Sequence, residues 1–461
     1  MTKQFTSLFS FCKHLIATYV NHPMSEGLSH MRNNVHCLGI SLQNNLDEKT
    51  CAVKQVPLNI NSRHRIQLFI SFEERRVKIM QSPTLSICLI ARNEEDVIAR
   101  CLQSIRSIAD EIIVVDTGST DRTIDICREY GARVLTHEWQ DHFAMARNFG
   151  LEQATGDWIM WLDADEELAK EDRDEVKALL PTLDKDIYSI HLINFIGDSI
   201  NENDTYHISH TRLFRNNKGF KFQFSIHEIL NIKDVLPNQD ESQIETLPIK
   251  LYHYGYLNDV THAKNKNERN IALLHKARAA NEPNSWLEYH LASEYSRMKQ
   301  YDQAFHYINL AIIRFLSEGL APPSLVYKLK YSILIETGSI EGAWPAIDKA
   351  LILYPDYVDL HLYKGVILYQ LGKFEQALES FHNCIQLGDE QLNHLTLRGS
   401  GSFHAYYYKG QCYEQLNNLH EAVNAYRAAL QFNPAYEPAN HALHTLLAAH
   451  PEWSEHHSAI T

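Results

Sequence analysis

The residues best placed to do chemistry are two carboxylates, Asp163 and Asp165, which end the apolar run DWIMWL. Aspartates held at the end of a buried strand offer hard oxygen ligands, which suit a divalent cation such as Mg²⁺ or Mn²⁺. Such a cation would neutralise a diphosphate. A plainer interpretation stays open, because Asp165 precedes EELAKEDRDEV and would cap a helix with an acidic first turn.

Two more polar segments, ARNEE (91–95) and DTGSTD (116–121), follow apolar runs earlier in the chain. Ligand sites in open α/β sheets form at the carboxyl ends of the strands, so we expect these segments to lie near Asp163 and Asp165. They could also be only a helix cap and a tight turn. The chain has neither a G-x-G-x-x-G after the first strand nor a phosphate-cradling G-x-x-x-x-G-K-[ST]. With these two phosphate-binding motifs excluded, the remaining possibility is a nucleotide site formed by carboxylates at the strand ends.

The elements that must position these residues alternate in type between residues 84 and 256, as in βα units around a largely parallel sheet. The pattern predicts four strands: TLSICLIA (84–91), EIIVVD (111–116), ARVLTHEW (132–139) and DWIMWLDAD (157–165). It predicts helices over EEDVIARCLQSI, DRTIDICREYG and DHFAMARNFGLEQA. We therefore expect an α/β domain.

From about residue 285 onward the chain is helical and repetitive. Alanines in similar contexts recur at steps of 39, 34 and 45 residues, at Ala304, Ala343, Ala377 and Ala422. A step of 34 is the tetratricopeptide period, and the longer steps fit it with insertions, one of which contains a flexible loop, LRGSGS (397–402). Gly365 and Gly410 would permit close helix packing, and Phe381 and Tyr426 lie four residues after a repeated alanine. The pattern predicts an all-α superhelix that holds a peptide or partner protein, and a heptad pattern or a plain helical bundle is the alternative.

We divide the chain into five segments: an N-terminal extension (1–80), the α/β domain (81–262), a helical linker (263–284), the repeats (285–450) and a tail (451–461). The extension has no motif, and its last residues, EERRVKIM, are compatible with a ribosome-binding sequence followed by a start codon. We hypothesise that Met80 is the native start. The alternative is an N-terminal helical segment that packs on the α/β domain.

Four segments in order, ARNEE, VVDTGSTDRT, HFAMARNFG and WLDADEEL, resemble glycosyltransferase family 2 with a GT-A fold. The resemblance covers roughly 84–256. Further segments, RLFR (212–215), IHE (226–228) and HYGY (253–256), resemble a subgroup that includes lipopolysaccharide-core glucosyltransferases and bacteriocin S-glycosyltransferases. The latter also have C-terminal tetratricopeptide-like helices. The resemblance implies an inverting transferase that uses a nucleotide-sugar donor, usually a UDP-hexose.

The resemblance also implies roles for individual residues of the donor site. Asp116 would accept a hydrogen bond from uracil N3–H, Asp163 would face the ribose or the metal, and Asp165 would bind the metal. The other implied donor contacts are Ala91, Arg92 and Glu94 around the base and ribose, and Arg147 beside the nucleotide.

Inverting transfer to a hydroxyl needs a base on the acceptor side, and the best candidates are His227 and Glu228. In our assignment Glu228 is the base and His227 is a metal ligand or a sugar contact. His253 of HYGY competes with His227 for the metal. In the alternative interpretation Glu228 anchors a loop through Arg212 or Arg215.

Composition restricts the class of protein further. The 461 residues include 43 Lys+Arg and 57 Asp+Glu, for a net charge of −14, which argues against binding of nucleic acid. Since no apolar run reaches the roughly 20 residues that span a bilayer, we expect a cytoplasmic protein. The eight cysteines form no C-x-x-C pair, so we expect reduced thiols and no disulfide or zinc site.

Taken together, the motifs predict an enzyme: a metal-dependent, non-processive hexosyltransferase with a peptide, protein or glycan acceptor held partly by the repeats. Single-sugar transfer is favoured because the Q-x-x-R-W box of processive synthases is absent. A chain cut at residue 285 should then keep donor hydrolysis and lose transfer. Homodimerisation is a competing use of the repeats. The alternative to an enzyme is a noncatalytic scaffold with a degenerate transferase domain.

Overall fold

The computed structural model describes residues 82–238, 244–257 and 266–450, so the hypothesis about Met80 lies outside the described residues. The strands are β1 (Leu85–Ala91), β2 (Glu111–Asp116), β3 (Arg133–Thr136), β4 (Trp158–Asp163), β5 (Glu166–Leu168), β6 (Ile187–Gly197), β7 (Thr205–Arg215), β8 (Phe222–Gln223), β9 (Ile229–Leu230), β10 (Thr246–Leu257) and β11 (Thr396–Leu397).

The helices of the first half are α1 (Ile98–Ile105), α2 (Thr123–Glu129), α3 (Phe143–Leu151), α4 (Arg173–Leu179) and α5 (Ile232–Val235). Those of the second half are α6 (Lys266–Ala279), α7 (Leu287–Arg297), α8 (Tyr301–Ser317), α9 (Ser324–Glu336), α10 (Ile340–Ala343), α11 (Ile347–Leu353), α12 (Val358–Gln370), α13 (Phe374–Leu387), α14 (Phe403–Gln415), α15 (Leu419–Phe432) and α16 (Glu437–Ala449). The predicted order, an α/β domain followed by helical repeats, is confirmed.

Nine of these strands form one mixed sheet, in the order β3-β2-β1-β4-β7-β6-β10-β5 with β11 paired to β7, and β8 and β9 form a separate two-stranded sheet. Neighbouring strands from β3 to β4 are parallel, as predicted, and β7 joins β4 in antiparallel orientation. In this register Ala91 lies beside Asp116, and Ile90 lies beside Asp163. The carboxyl ends of β1, β2 and β4 therefore meet at one edge of the sheet.

Alternate residues of the parallel strands point into two separate apolar layers, as the two-residue period of a strand requires. On one face Ile87 and Met160 pack against Ile98 and Leu102 of α1. The opposite face is a second cluster in which Trp161 packs with residues such as Ala144 of α3. Burial on both faces explains why these strands are apolar throughout, and it fixes where each strand ends.

The segment after Asp165 does not form the helix that the capping interpretation requires. β4 ends at Asp163, and the next residues form β5, which pairs antiparallel with β10. The interpretation of Asp165 as a helix cap is therefore wrong. Because the chain turns at once into another strand, Asp163, Asp165 and Glu166 are gathered at the sheet edge.

In the repeats, two glycines make the close helix contacts that the sequence predicts. A Cβ added to Gly365 of α12 would lie 2.3 Å from the Phe381 ring of α13, and one added to Gly410 of α14 would lie 2.4 Å from the Tyr426 ring of α15. The aromatic residue of each second helix thus packs directly on the backbone of the first.

The insertion before α14 joins the repeats to the sheet. Its strand β11 pairs antiparallel with β7, and Leu397 N–H donates to the Asp359 carboxylate. Lys328 Nζ lies 2.6 Å from Asp359 Oδ2 in a buried ion pair. Ser400 and Ser402 are buried. The prediction of a flexible loop at 397–402 is therefore wrong, because strand pairing and buried hydrogen bonds hold this segment.

Two further features concern only the described parts of the chain. Five cysteines there are free and buried, at positions 88, 101, 127, 384 and 412. No helix among the described residues is long and apolar enough to cross a membrane.

Candidate active site

A cavity of about 920 Å³ lies at the carboxyl edge of the parallel strands. Its walls contain eight of the residues proposed from sequence: Ala91, Arg92, Glu94, Arg147, Asp163, Asp165, His227 and Glu228. His253 is not on this wall, and neither is Asp116. The Asp116 carboxylate accepts hydrogen bonds from the backbone N–H groups of Gly118 and Ser119, so it stabilises the turn after β2. A contact of Asp116 with uracil stays a prediction.

One wall of the cavity consists of the two polar loops, and hydrogen bonds join them. Asn93, in the left-handed region at φ 54°, accepts from Thr120 N–H through Oδ1 at 2.8 Å. Glu94 N–H donates to Thr123 Oγ1 at 2.7 Å, and Glu95 N–H donates to Asp121. These bonds fix the backbone of both loops, which is the preorganisation that a nucleotide site needs.

A buried arginine joins the candidate donor and acceptor sides. Arg147 of α3 donates from Nη2 to Asp163 Oδ1 at 2.5 Å and from Nε to Glu228 Oε1. Burial disfavours its charged form, but Asp163 and Glu228 outweigh this and raise the pKa of Arg147. Arg147 therefore stays charged and holds both carboxylates in place.

The anchor of Glu228 differs from the alternative that the sequence left open. Arg212 pairs with Glu166, 2.5 Å from Nη2 to Oε1, and Arg215 pairs with Asp186. Arg212 also lies over the Trp161 ring at 3.7 Å. The prediction of an anchor through Arg212 or Arg215 is wrong, because these arginines pair with Glu166 and Asp186 whereas Glu228 pairs with Arg147.

Asp165 has a different set of partners. His253 Nε2 lies 3.6 Å from Oδ1, and Lys266 Nζ lies 3.1 Å from Oδ2. These cations outweigh the effect of burial and lower the pKa of Asp165. Gly255 leaves room for the group, since a Cβ there would lie 2.4 Å from Oδ2. Asp165 lies on the cavity wall and His253 lies beside it, and a carboxylate with a neighbouring imidazole is a pair of side chains that could ligate Mn²⁺.

His227 lies elsewhere on the wall. Its ring stacks on His290 of α7 at 3.8 Å, and its Nε2 lies 3.8 Å from Glu294 Oε1. Burial lowers the pKa of His227 to about 3, so the imidazole is neutral. Among the described residues no three His, Cys, Asp or Glu side chains form a ready metal-binding group. The geometry places His253, and not His227, beside Asp165.

A second cavity of about 350 Å³ adjoins the first at Glu228, which lines both. Its wall combines sheet residues such as Trp161 and His210 with Leu392 and Asn393 from the insertion in the repeats. Burial, with Arg212 nearby, lowers the pKa of His210 to about 3. Glu228 is thus the one acidic side chain among the described residues that line this cavity.

The family model for glycosyl transferase family 2 matches residues 86–236, which contain the sheet edge and most of the cavity wall. This stretch is a family 2 glycosyltransferase domain. Tetratricopeptide models match residues 332–382 and 403–436, so the C-terminal helical region contains tetratricopeptide repeats, as predicted.

Curated relatives share parts of this arrangement. A TPR repeat-containing protein of Synechococcus elongatus is 31% identical over 59% of this chain, and the match spans 64% of that protein. The glycosyltransferase SunS of Bacillus subtilis is 29% identical over 67% of this chain and 72% of its own length. An uncharacterised glycosyltransferase of Rickettsia bellii is 34% identical over 37% of this chain and 60% of its own.

Solved structures include S. aureus TarS (residues 1–349), which covers 63% of this chain and 92% of that chain at 20% identity with a TM-score of 0.33. YrrB, described as a TPR protein with an unusual peptide-binding site, covers 40% of this chain and 87% of that chain at 19% identity with a TM-score of 0.32.

Three residues of the larger cavity that the sequence did not indicate come from α6, which lies in the segment assigned from sequence to a helical linker. Lys266, Arg269 and Asn270 all line the larger cavity. They stand in the polar run KNERN, whose composition alone indicates a solvated helix face. No signal in the sequence distinguishes a charged helix that faces solvent from one that faces a cavity.

Proposed function

We propose that this protein is an inverting, metal-dependent glycosyltransferase that moves a single hexose from a UDP-sugar to a peptide, protein or glycan acceptor. One observation supports this most: a single cavity contains the strand-end loops, the Asp163–Asp165 carboxylates and Glu228. A nucleotide-sugar requires a base-binding loop, a site for the diphosphate and a group beside the sugar, and this cavity offers all three.

Different residues of the larger cavity bind different parts of the nucleotide-sugar donor. Arg92, Glu94 and the ordered loop after β1 bind the base and ribose. Asp165 and His253 would hold a divalent cation, which would stabilise the leaving diphosphate. Arg147 donates a charge-assisted hydrogen bond to Asp163. This bond keeps the Asp163 carboxylate in position while negative charge develops on the leaving diphosphate.

The acceptor side uses the second cavity, which lies directly past Glu228. An acceptor hydroxyl entering there would give its proton to Glu228 as its oxygen bonds to the anomeric carbon. The bond from that carbon to the phosphate oxygen breaks in the same step, and the diphosphate departs with the electron pair. Since Leu392 and Asn393 belong to the repeats, acceptor choice depends on both halves of the chain.

Binding and turnover of UDP-sugars test this proposal. The full chain is incubated with a panel of UDP-hexoses and Mn²⁺, and released UDP and the intact mass of peptide and glycan acceptors are measured. We expect Asp165→Asn to reduce hydrolysis by orders of magnitude with the fold intact, because it removes a metal-binding charge. Asp186→Asn is the matched control, since Asp186 pairs with Arg215 and Lys218 away from the cavity.

If the wild type hydrolyses no UDP-hexose, with or without metal, the result favours a noncatalytic scaffold. Full activity in a chelator, or in Asp165→Asn, would instead overturn the metal dependence.

A further inference from the structure

The two strand-end aspartates differ in how firmly their cationic partners are held. Asp163 faces Arg147 and Arg212, whose side chains are 7% and 3% exposed. Both guanidinium groups also lie over the Trp161 ring. Asp165 instead faces Lys266, whose side chain is 20% exposed and whose position is at the start of α6. The arginines are built into the core, whereas the lysine enters the cavity from outside the sheet.

This inference rests on the metal dependence in the proposed function. We propose that Lys266 occupies the place of the metal ion while the site is empty. Its ammonium group neutralises Asp165 before metal and donor bind. When a divalent cation binds to Asp165, Lys266 moves to the diphosphate of the donor. Lys266 thus couples nucleotide binding to metal binding.

The geometry at Asp165 sets up the competition. Lys266 Nζ lies 3.1 Å from Asp165 Oδ2, so its ammonium group occupies a position at this oxygen that a metal ion would need. A divalent ion at 2.0–2.6 Å from the same oxygen and an ammonium group at hydrogen-bond distance would repel each other strongly, given the weak screening in a partly buried site. His253 lies on the other side of the carboxylate, with its Nε2 3.6 Å from Oδ1.

The chemistry of lysine suits such an exchange better than that of arginine. An ammonium group is a point charge on a flexible four-carbon chain, and it donates in any direction, whereas a guanidinium is a rigid fork. Lys266 and Asp165 both line the larger cavity, so Lys266 can turn from the carboxylate to a diphosphate without leaving it. The diphosphate offers more negative charge than the single carboxylate that the lysine gives up.

A coupling between the two ligands follows. Mn²⁺ alone must displace Lys266 and leave its charge without a partner, so it binds weakly. UDP supplies the new partner and thereby favours Mn²⁺ binding. By thermodynamic reciprocity, Mn²⁺ favours UDP binding by the same factor.

Direct binding measurements on the full chain test this. Mn²⁺ is titrated by the EPR signal of the free ion, with and without UDP, and UDP is titrated in saturating Mn²⁺. We expect Lys266→Met to bind Mn²⁺ alone about tenfold more tightly and UDP with Mn²⁺ about tenfold more weakly, the lower end for a hydrogen bond between charged groups. Lys266→Arg keeps the charge and should restore UDP affinity to within a few-fold.

Lys276→Met is the matched control. Lys276 lies on the same helix and pairs with Asp141, outside the cavity. Its loss should leave both affinities unchanged, which separates a local exchange from a general effect of charge. Unchanged Mn²⁺ affinity, or unchanged UDP affinity, in Lys266→Met overturns the inference and leaves the proposed function standing. A wild type that binds UDP equally with Mn²⁺ and with chelator overturns the metal dependence itself, which is a different result.

Discussion

Arg147 and Glu228 show how one residue pair limits what the site can do. The carboxylate of Glu228 has a charged partner on one side and the second cavity on the other. Arg147 thus fixes the position of the Glu228 carboxylate at the boundary of the two cavities. What the pair contributes is the placement of a carboxylate beside an acceptor in the second cavity.

The variant Glu228→Gln tests this role. Glutamine keeps the size and can still accept a hydrogen bond from Arg147, but it cannot take a proton. We expect donor hydrolysis, with water as acceptor, to fall by at least about a hundredfold, while UDP affinity stays within a few-fold. Glu245→Gln is the control, since Glu245 forms an exposed ion pair with Lys185. An unchanged rate would leave Glu228 as a loop anchor only.

Single residues were predictable from sequence where their position in an element decides their role. Asp163 follows an apolar run, and a strand must end there, so its place at the sheet edge could be inferred. Its partners could not, because Arg147 and Arg212 come from segments 16 residues before it and 49 after it in the chain. Which of several arginines reaches a carboxylate is decided by packing, and the sequence carries no measure of that.

At the scale of elements, the packing of α12 on α13 gives a test with an internal control. Gly365→Ala should destabilise the protein by about 1–3 kcal/mol, the usual cost of overpacking, because the new methyl meets the Phe381 ring. Gly342→Ala, in the short helix α10, has its nearest neighbouring atom 4.0 Å away and should stabilise by about 0.5–1 kcal/mol. Urea unfolding of both variants measures the difference. Equal effects would show that α13 can move away.

The pairing of β6 with β7 gives a pH dependence. His191 Nε2 lies 3.0 Å from His207 Nδ1. Burial lowers the pKa of His191 to about 4, with Lys250 contributing, and that of His207 to about 3, with His191 and Arg398 contributing. Since the folded state binds fewer protons than the unfolded chain, stability is present above pH 6.5 and is lost as the pH falls toward 4.

His207→Gln should reduce this acid sensitivity, because glutamine has no proton to gain. The measurement is the free energy of unfolding between pH 7 and pH 4 in wild type and variant. His382→Gln is the control, since His382 belongs to α13 and is far from this pair in the sequence. It shows the effect of replacing a histidine that is not part of the pair. A wild type and a His207→Gln variant with parallel pH profiles would contradict the prediction.

At the scale of the whole molecule, the helices that follow the α/β domain help to position the residues of the candidate site. Ile226 packs in the same apolar cluster as Leu273, Leu287 and Leu291 of the helices that follow. Ser225, in the same loop, donates to Glu282 through both its backbone N–H and its hydroxyl. The loop that carries Glu228 therefore takes its position from α6 and α7. Sequence periodicity identified the repeats, but it could not show this contact, because it describes each half alone.

This changes the expected result of removing the repeats. From sequence we expected a chain cut at residue 285 to keep donor hydrolysis, but that cut removes His290 and Glu294, on which His227 rests, and exposes Ile226. We now expect it to lose donor hydrolysis together with transfer.

A chain that ends after residue 320 keeps α7 and α8, so it should retain measurable hydrolysis of the UDP-sugar. It should lose transfer, because Leu392 and Asn393 are gone. UDP release and circular dichroism of the two shortened chains show whether the repeats are needed to position Glu228. Equal hydrolysis in both would mean that the transferase domain positions Glu228 without the repeats.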